Sequence, residues 1–275
     1  MTPARYLGMP ALFWRTLFGQ PFLMRQLIER EIRDRYKGAA LELVWVVVNP
    51  LLLLAIYGFV FGVVFKARFP GLADAPEVAY PLVLFSGLIV HALMAECLSR
   101  APSLVVQHAN YVKKVVFPLE VLPVVVMGGA LFHAAIAVAI LLAGLVAFGH
   151  PPGWTALLLP LVWLPLVLLT LGLTWFLASL GVFLRDIDQI IRLAVMLLLF
   201  VSPVFYPVEA VPEALRPLLH LNPLTPVIEA TRDVLLWGRL PDPASYAGGL
   251  ALGLFVAWHG LYWFARTKHS FADVV

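Results

Sequence analysis

Ionisable side chains inside long apolar stretches are the natural starting point for chemistry. Three histidines qualify, His91, His133 and His259. An ionisable group at membrane depth is costly, and by default it marks a functional position. These three are scattered along the sequence, however, and a neutral imidazole also bridges helices as an ordinary hydrogen-bonding group. The pattern favours the bridge over a ligand or proton-relay role. Glu96 and Glu120 stand at the ends of apolar stretches, and no Asp/Glu pair falls within one, which weakens an ion-coupled mechanism. Asp186 and Asp188 form a tight acidic pair. Acid–base catalysis needs such a pair within a convergent cluster. A helix start, whose positive end favours Asp, is the preferred account.

Other reactive patterns are absent from the sequence. No Lys follows a Gly, so a Gly-rich phosphate loop ending in Gly-Lys-Ser/Thr does not occur. Neither do His-Glu-x-x-His, Cys-x-x-Cys or Gly-x-Ser-x-Gly. The single cysteine, Cys97, cannot form an intrachain disulfide. What remains is aromatic. Tyr57, Phe61 and Phe65 recur at i, i+4 and i+8 on one helical face. Such a stripe packs against helices or lipid, or stacks on the C–H faces of sugars.

The elements that must carry these residues follow from composition. Of the 275 residues, 62% are hydrophobic and 13% charged, about half the charge of a soluble domain. The apolar residues fall in long uncharged blocks, so the fold class is all-α integral membrane. Six crossings are expected, at about 43–65, 78–97, 121–148, 155–184, 191–208 and 246–265. The fifth is short, and Pro160 and Pro165 give the fourth a lead-in or kink. Six crossings put both ends on one side. Fourteen of the nineteen Lys and Arg then share the side of the termini, which makes that side cytoplasmic. The basic residues read as orientation and lipid-surface signals, not as a nucleic-acid surface. The first twenty residues show no clean apolar core with a small-residue cleavage site.

Three segments lie outside the crossings. In Phe22 to Lys37, Met24, Leu27, Ile28 and Ile32 recur at helical spacing among charged residues, with Glu29–Arg33 and Glu31–Arg35 at i,i+4. This is an amphipathic helix, read as a membrane-surface anchor or as a docking face. Residues 1–38 form the cytoplasmic arm, 39–268 the transmembrane domain and 269–275 a tail. In Ser99 to Pro118, Pro102 is expected to start a short cytoplasmic helix. The proline-rich stretch between Val204 and Tyr246 is expected to form short re-entrant outer helices, or a loop on headgroups. Gly58/Gly62 and Gly249/Gly253 have the spacing of close helix packing.

Several stretches together carry a resemblance. REIRDRYKG (Arg30 to Gly38), Trp45, Asn49-Pro50, NYVKKVVFPLEVLP (Asn110 to Pro123), FLRDIDQI (Phe183 to Ile190), SPVFYPVEAVP (Ser202 to Pro212) and LNPLTPVIEATRDVLL (Leu221 to Leu236) occur in the order found in type-2 ABC exporter permeases that move polysaccharides. The chain resembles that family over nearly its whole length. It departs at Ala39 and Glu42, where the family commonly has Ser and Gly.

The resemblance implies a homodimer with two copies of a separate ATP-hydrolysing subunit, which would carry ATP and Mg; no cofactor is expected on this chain. Glu31, Arg35, Asn110, Lys113, Lys114 and Phe117 would contact that subunit. The first and fifth crossings would line a channel at the dimer interface, with Tyr57, Phe61, Phe65, Phe200, Phe205 and Tyr206 along it. The implied substrate is a lipid-linked polysaccharide crossing the inner membrane, O-antigen first and capsule or teichoic acid next. An ion-coupled transporter or channel should show internal repeats, and the two halves show no convincing one. A membrane-embedded enzyme on lipid-linked sugars is the other alternative.

Overall fold

The computed structural model describes residues 13, 14, 16, 19, 21–36, 44–64, 80–112 and 117–274. All regular structure among them is helical. α1 (Pro21–Tyr36) is followed by α2 (Val44–Tyr57), which widens into a π-helical turn over Gly58–Val64. α3 (Tyr80–Gln107) leads through a turn at His108 into the four-residue α4 (Ala109–Val112). After α5 (Val121–Ala147), a 3-10 turn (Trp154–Leu158) and the short α6 (Leu159–Val162) feed α7 (Leu164–Phe183). α8 (Ile187–Val201), α9 (Arg216–Leu221) and α10 (Leu224–Arg232) precede α11 (Pro243–Thr267), and a 3-10 turn spans Lys268–Asp273.

Among the described residues, five helical stretches are long and apolar enough to cross a bilayer: Val44–Phe61, Tyr80–Gln107, Val121–Ala147, Trp154–Phe183 and Pro243–Asp273. The stretch expected at 191–208 behaves differently. α8 has 15 residues, a rise of about 22 Å against a hydrocarbon core of about 30 Å. It stops because Ser202 turns extended (ψ 148°) ahead of Pro203 and Pro207. Pro160 and Pro165 each occupy a first-turn position, where no backbone N–H is needed. The lead-in expected for the fourth crossing is therefore present as the 3-10 turn and α6.

One local expectation is corrected. Pro102 does not start a helix, because α3 runs through it from Tyr80. The packing accounts for this. Gly181 of α7 lies so close to the Pro102 carbonyl that a Cβ there would stand 1.9 Å away, so α3 is held against α7 across the weak point.

α7 is the central member, with α3 on one flank and α11 on the other, and α5 lies beyond α3. The α7–α11 contact is a glycine contact. A Cβ on Gly172 would lie 2.4 Å from the Val256 carbonyl, and one on Gly260 would lie 2.0 Å from the Gly172 carbonyl. The backbones therefore touch directly, with dispersion and weak Cα–H···O contacts replacing side-chain packing. Of the spacings read from the sequence, Gly253 belongs to this seam and Gly58 makes only an ordinary contact with Pro81. Gly172→Val or Gly260→Val should lower stability by about 3 kcal/mol or more and prevent recovery of folded protein. Gly248→Ala should be neutral or slightly stabilising, since a Cβ there meets nothing within 4 Å. Thermal unfolding and size exclusion in detergent measure both.

Candidate functional site

α1 is held to the base of the bundle by shape and by charge. Met24 is buried against Val121 and Val125. Ile28 fills the notch left by Gly128, where a Cβ would come within 2.5 Å of it. The charged contacts are reciprocal: Glu31 pairs with Arg100, and Arg35 pairs with Glu96. His133 of α5 completes the group, its Nδ1 lying 3.0 Å from Glu96 Oε1 and 3.2 Å from Arg35 Nη1. Both carboxylates are largely covered, with side-chain exposures of 14% for Glu31 and 13% for Glu96.

Sequence spacing gives Glu31 a partner at Arg35, one turn along. In the structure each of the two reaches across to α3 instead. On the open side of α1 the local pairs do form: Arg25–Glu29 at 2.8 Å, Arg30–Asp34 at 3.2 Å and Arg33–Glu29 at 3.7 Å. The hydrogen bond between Arg25 and Glu29 raises the Arg25 pKa and lowers that of Glu29.

Beside this clasp lies a groove of about 430 Å³. Leu27, Arg30 and Asp34 of α1 form one wall, and Gln107, His108 and Asn110 the other. Asn110 is thus exposed at the groove edge. Phe117 stacks on Tyr111 at 4.4 Å between ring centroids and packs on the bundle. Lys113 and Lys114 lie outside the described residues. Just beyond, the buried Glu120 pairs with Lys268, and its carbonyl accepts from Trp175 Nε1 at 2.9 Å. The chain end is fastened there too, with Phe271 fully buried against Phe264 and Phe183.

At the opposite end of the bundle the aromatic residues form a node. Ring centroids are 6.1 Å apart for Tyr57–Phe61, 5.9 Å for both Tyr57–Phe205 and Phe61–Phe205, and 6.0 Å for Phe200–Phe205. The Tyr206 hydroxyl donates to the Phe200 carbonyl at 2.9 Å. Phe65 lies outside the described residues. Tyr80, which the sequence reading passed over, joins the node: it lies 6.0 Å from Phe61, and its hydroxyl donates to the Phe205 carbonyl at 2.6 Å. The signal that marks it is an aromatic at the very start of a crossing, followed by proline.

The scattered polar residues are mostly structural bridges. His91 reaches the Val195 carbonyl at 3.1 Å, tying α3 to α8, and His259 bonds the Phe255 carbonyl of its own helix at 2.8 Å. Asp186 is the N-cap residue of α8 without a side-chain hydrogen bond, and Asp188 pairs with Arg192. Arg232 was not singled out by sequence. It is buried at 4% exposure, donates to the Val204 carbonyl at 3.0 Å, and burial lowers its pKa to about 10. Among the described residues, no three His, Cys, Asp or Glu side chains gather as a metal set.

Residues 23–236 match the family described as ABC-2 type transporter. The chain belongs to that family. It is similar to the O-antigen export system permease protein RfbA of Myxococcus xanthus, 28% identical over 263 residues, 95% of this chain and 98% of that protein. A protein of the same name from Klebsiella pneumoniae is 28% identical over 255 residues, 92% and 95% of the two chains. Family membership and the five apolar helices make this a multi-pass membrane protein and a transport subunit rather than an enzyme.

Within that family member, α1 and α3 should act as one body. Arg100→Glu leaves Glu31 covered and facing a like charge, and should cost about 2–4 kcal/mol. Glu31→Arg combined with Arg100→Glu should restore most of it. Equal melting temperatures for the single and double variants would refute the clasp.

Proposed function

We propose that the chain is the permease subunit of an ATP-driven exporter that moves a lipid-linked polysaccharide, of the O-antigen type, across the inner membrane. The observation that carries this reading is the end-to-end match: the relatives named as O-antigen export permeases align over 92–95% of this chain and 95–98% of their own. The sequence has no phosphate loop of its own, so hydrolysis belongs to a partner. Two copies of an ATP-binding subunit would supply it, together with ATP and Mg.

In this reading α8 is a sixth, shallow crossing completed by the turn after Ser202, and α9 and α10 are re-entrant helices of the outer leaflet. With six crossings both termini are cytoplasmic, the placement that the distribution of Lys and Arg supports. α1 is then an amphipathic interface helix. Its exposed Arg30 and Asp34 and the facing Asn110 offer polar contacts to the ATPase, with Lys113 and Lys114 adjoining in sequence. Glu31 and Arg35 transmit the movement, since they fasten α1 to α3. Closure of the partner subunits would shift α1, α3 and α5 as a rigid body.

A second copy is proposed to sit against α2 and α8. Only 6% of the Val44–Phe61 window is buried, against 72% of Tyr80–Gln107, and α8 has no buried residue. Leu52 and Ile56 of α2 and Phe59 of the π-helical turn, with Leu193, Met196 and Phe200 of α8, present a broad apolar surface open to a second copy. The aromatic node stands at the outer end of that surface, where flat rings would offer a polysaccharide weak, register-free stacking.

Tyr57→Ala combined with Phe61→Ala should lower export several-fold while the permease–ATPase complex still assembles. Export per assembled complex equal to that of the native chain would remove the node from the path. Co-expression with the ATPase gene expected beside this one should yield a vanadate-sensitive complex. The permease alone should show no ATP hydrolysis, and hydrolysis by the purified chain would overturn the reading.

A further inference from the structure

A crevice runs between α7, α10 and α11 at the end of the bundle remote from α1, and its lining changes character in a fixed order. One end is acidic, with Glu229, Asp233 and Asp242. His220 and Ser245 stand where this end meets the next stretch and line both parts. Beyond them Leu166, Leu169, Gly248 and Leu252 line a groove of about 310 Å³. Two of its walls belong to stretches long and apolar enough to cross a bilayer, and a third is built by Leu221, Pro223, Pro226 and Val227.

The three carboxyls of the acidic end differ in environment. Asp242 accepts the backbone N–H of Ser245 at 2.8 Å, and this bond together with the Ser245 side chain holds its carboxyl below the usual range. Glu229 and Asp233 are half-buried. Burial pushes both pKa values up, and Glu209 and Asp233 push Glu229 further. Arg232 and Arg239 offset part of this charge, with Arg232 turned to the Val204 carbonyl. A cation delivered to these carboxylates would relieve both their desolvation and their mutual repulsion.

We propose that this crevice binds an aminophospholipid, with its primary ammonium at Glu229 and Asp233, its phosphate at His220, and one acyl chain in the groove lined by Leu166, Leu169 and Leu252. The order of acceptor, donor and apolar surface along the crevice repeats the order of ammonium, phosphate and acyl chain in an ethanolamine headgroup. A glycerol headgroup brings no cation to the carboxylates. A choline headgroup brings charge without an N–H donor. The inference needs only that the bundle stands in a bilayer, and it goes beyond the export reading because it involves neither ATP nor the polysaccharide.

The test uses the full chain in nanodiscs of equimolar phosphatidylethanolamine and phosphatidylglycerol, followed by detergent extraction and native mass spectrometry of retained lipid. The native chain should retain the ethanolamine lipid about tenfold over the glycerol lipid, the scale of one charge-assisted contact. Glu229→Gln combined with Asp233→Asn should abolish the preference while groove binding persists. Gly248→Leu fills the groove where a Cβ meets nothing within 4 Å, and should reduce retention of both lipids. Equal retention of the two lipids by the native chain overturns the proposal, as does an unchanged preference in the double carboxylate variant. If Gly248→Leu misfolds, the carboxylate pair decides alone. Because retention is measured without the partner and without ATP, a failed export assay leaves this result standing, and the converse holds.

Discussion

A carboxylate covered by protein has to be paired, and the reciprocal clasp between α1 and α3 meets that requirement for Glu31 and Glu96 in a way that also fixes geometry. On α1, Glu31 precedes Arg35 by one turn; on α3, Glu96 precedes Arg100 by one turn. The observed pairs, Glu31–Arg100 and Arg35–Glu96, form only if the two segments run antiparallel. A parallel arrangement, or a slip of one turn, would set Glu against Glu or Arg against Arg in a poorly hydrated site. The four charges therefore specify direction and register, the best-attested use of buried ion pairs. His133 adds a third helix to the arrangement. A surface helix that packing alone would hold loosely becomes part of the bundle, and force applied to it reaches α3 and α5 directly.

The bundle is not uniformly tight. Around α7, backbone meets backbone at Gly172, Gly181 and Gly260, a geometry with two outcomes, seated or broken, and little between. α2 and α8 are held by far less. His91–Val195 is a single hydrogen bond from α3 to α8, and much of α2's inward contact at its far end runs through the aromatic node. Ring pairs contribute about 0.5–1.5 kcal/mol each beyond their buried area, so separating α2 from the rest costs much less than disturbing the glycine seam. Movement delivered at the base should thus appear as a shift of a stiff block past two lightly held helices.

Much of this was legible in the sequence, and the parts that were not share a cause. The crossings read clearly because an uncharged run of about twenty apolar residues matches the thickness of the hydrocarbon core and suits little else, and the α6–α7 lead-in was readable from Pro160 and Pro165. The aromatic stripe on α2 was visible from its i,i+4 spacing, and Phe200 and Phe205 were placed with it through the resemblance. Tertiary pairing was hidden. Local rules pair Glu31 with Arg35, and no local rule reaches Glu96 or Arg100, some sixty residues away. Pro102 looked like a helix start because propensity is a weak prior that packing overrides; here Gly181 provides the packing. The α8 helix fell short of a full crossing because the apolar run continues through Ser202 and Pro203, where composition stays hydrophobic while the backbone turns. Gly172 and Gly260 sit on different helices, so no repeat within either one announces their contact.

The outer end of the molecule combines the two regimes. The segment from Ser202 to Trp237 is pinned by buried polar contacts: Asn222 donates to Ser202 Oγ at 2.8 Å, Trp163 to Thr231 Oγ1 at 3.0 Å, Thr155 to the Val234 carbonyl at 2.7 Å and Arg232 to the Val204 carbonyl. Losing one such partner leaves a buried group unsatisfied at a cost of about 1–3 kcal/mol, so this cap stays folded on itself and attached to the lead-in of α7. Phe205 belongs to the cap by sequence and to the aromatic node by contact, and it marks the boundary between the pinned part and loosely held α2. A polymer that must slide is slowed by any strong, directional site, because each hydrogen bond made at one register has to be broken to reach the next. The chain keeps its strong polar contacts inside the cap and at the base, satisfied by protein, and leaves flat rings at the seam that parts most easily. For the proposed passage of a polysaccharide, that division sets the fixed wall on the side of the cap and the yielding wall on the side of α2.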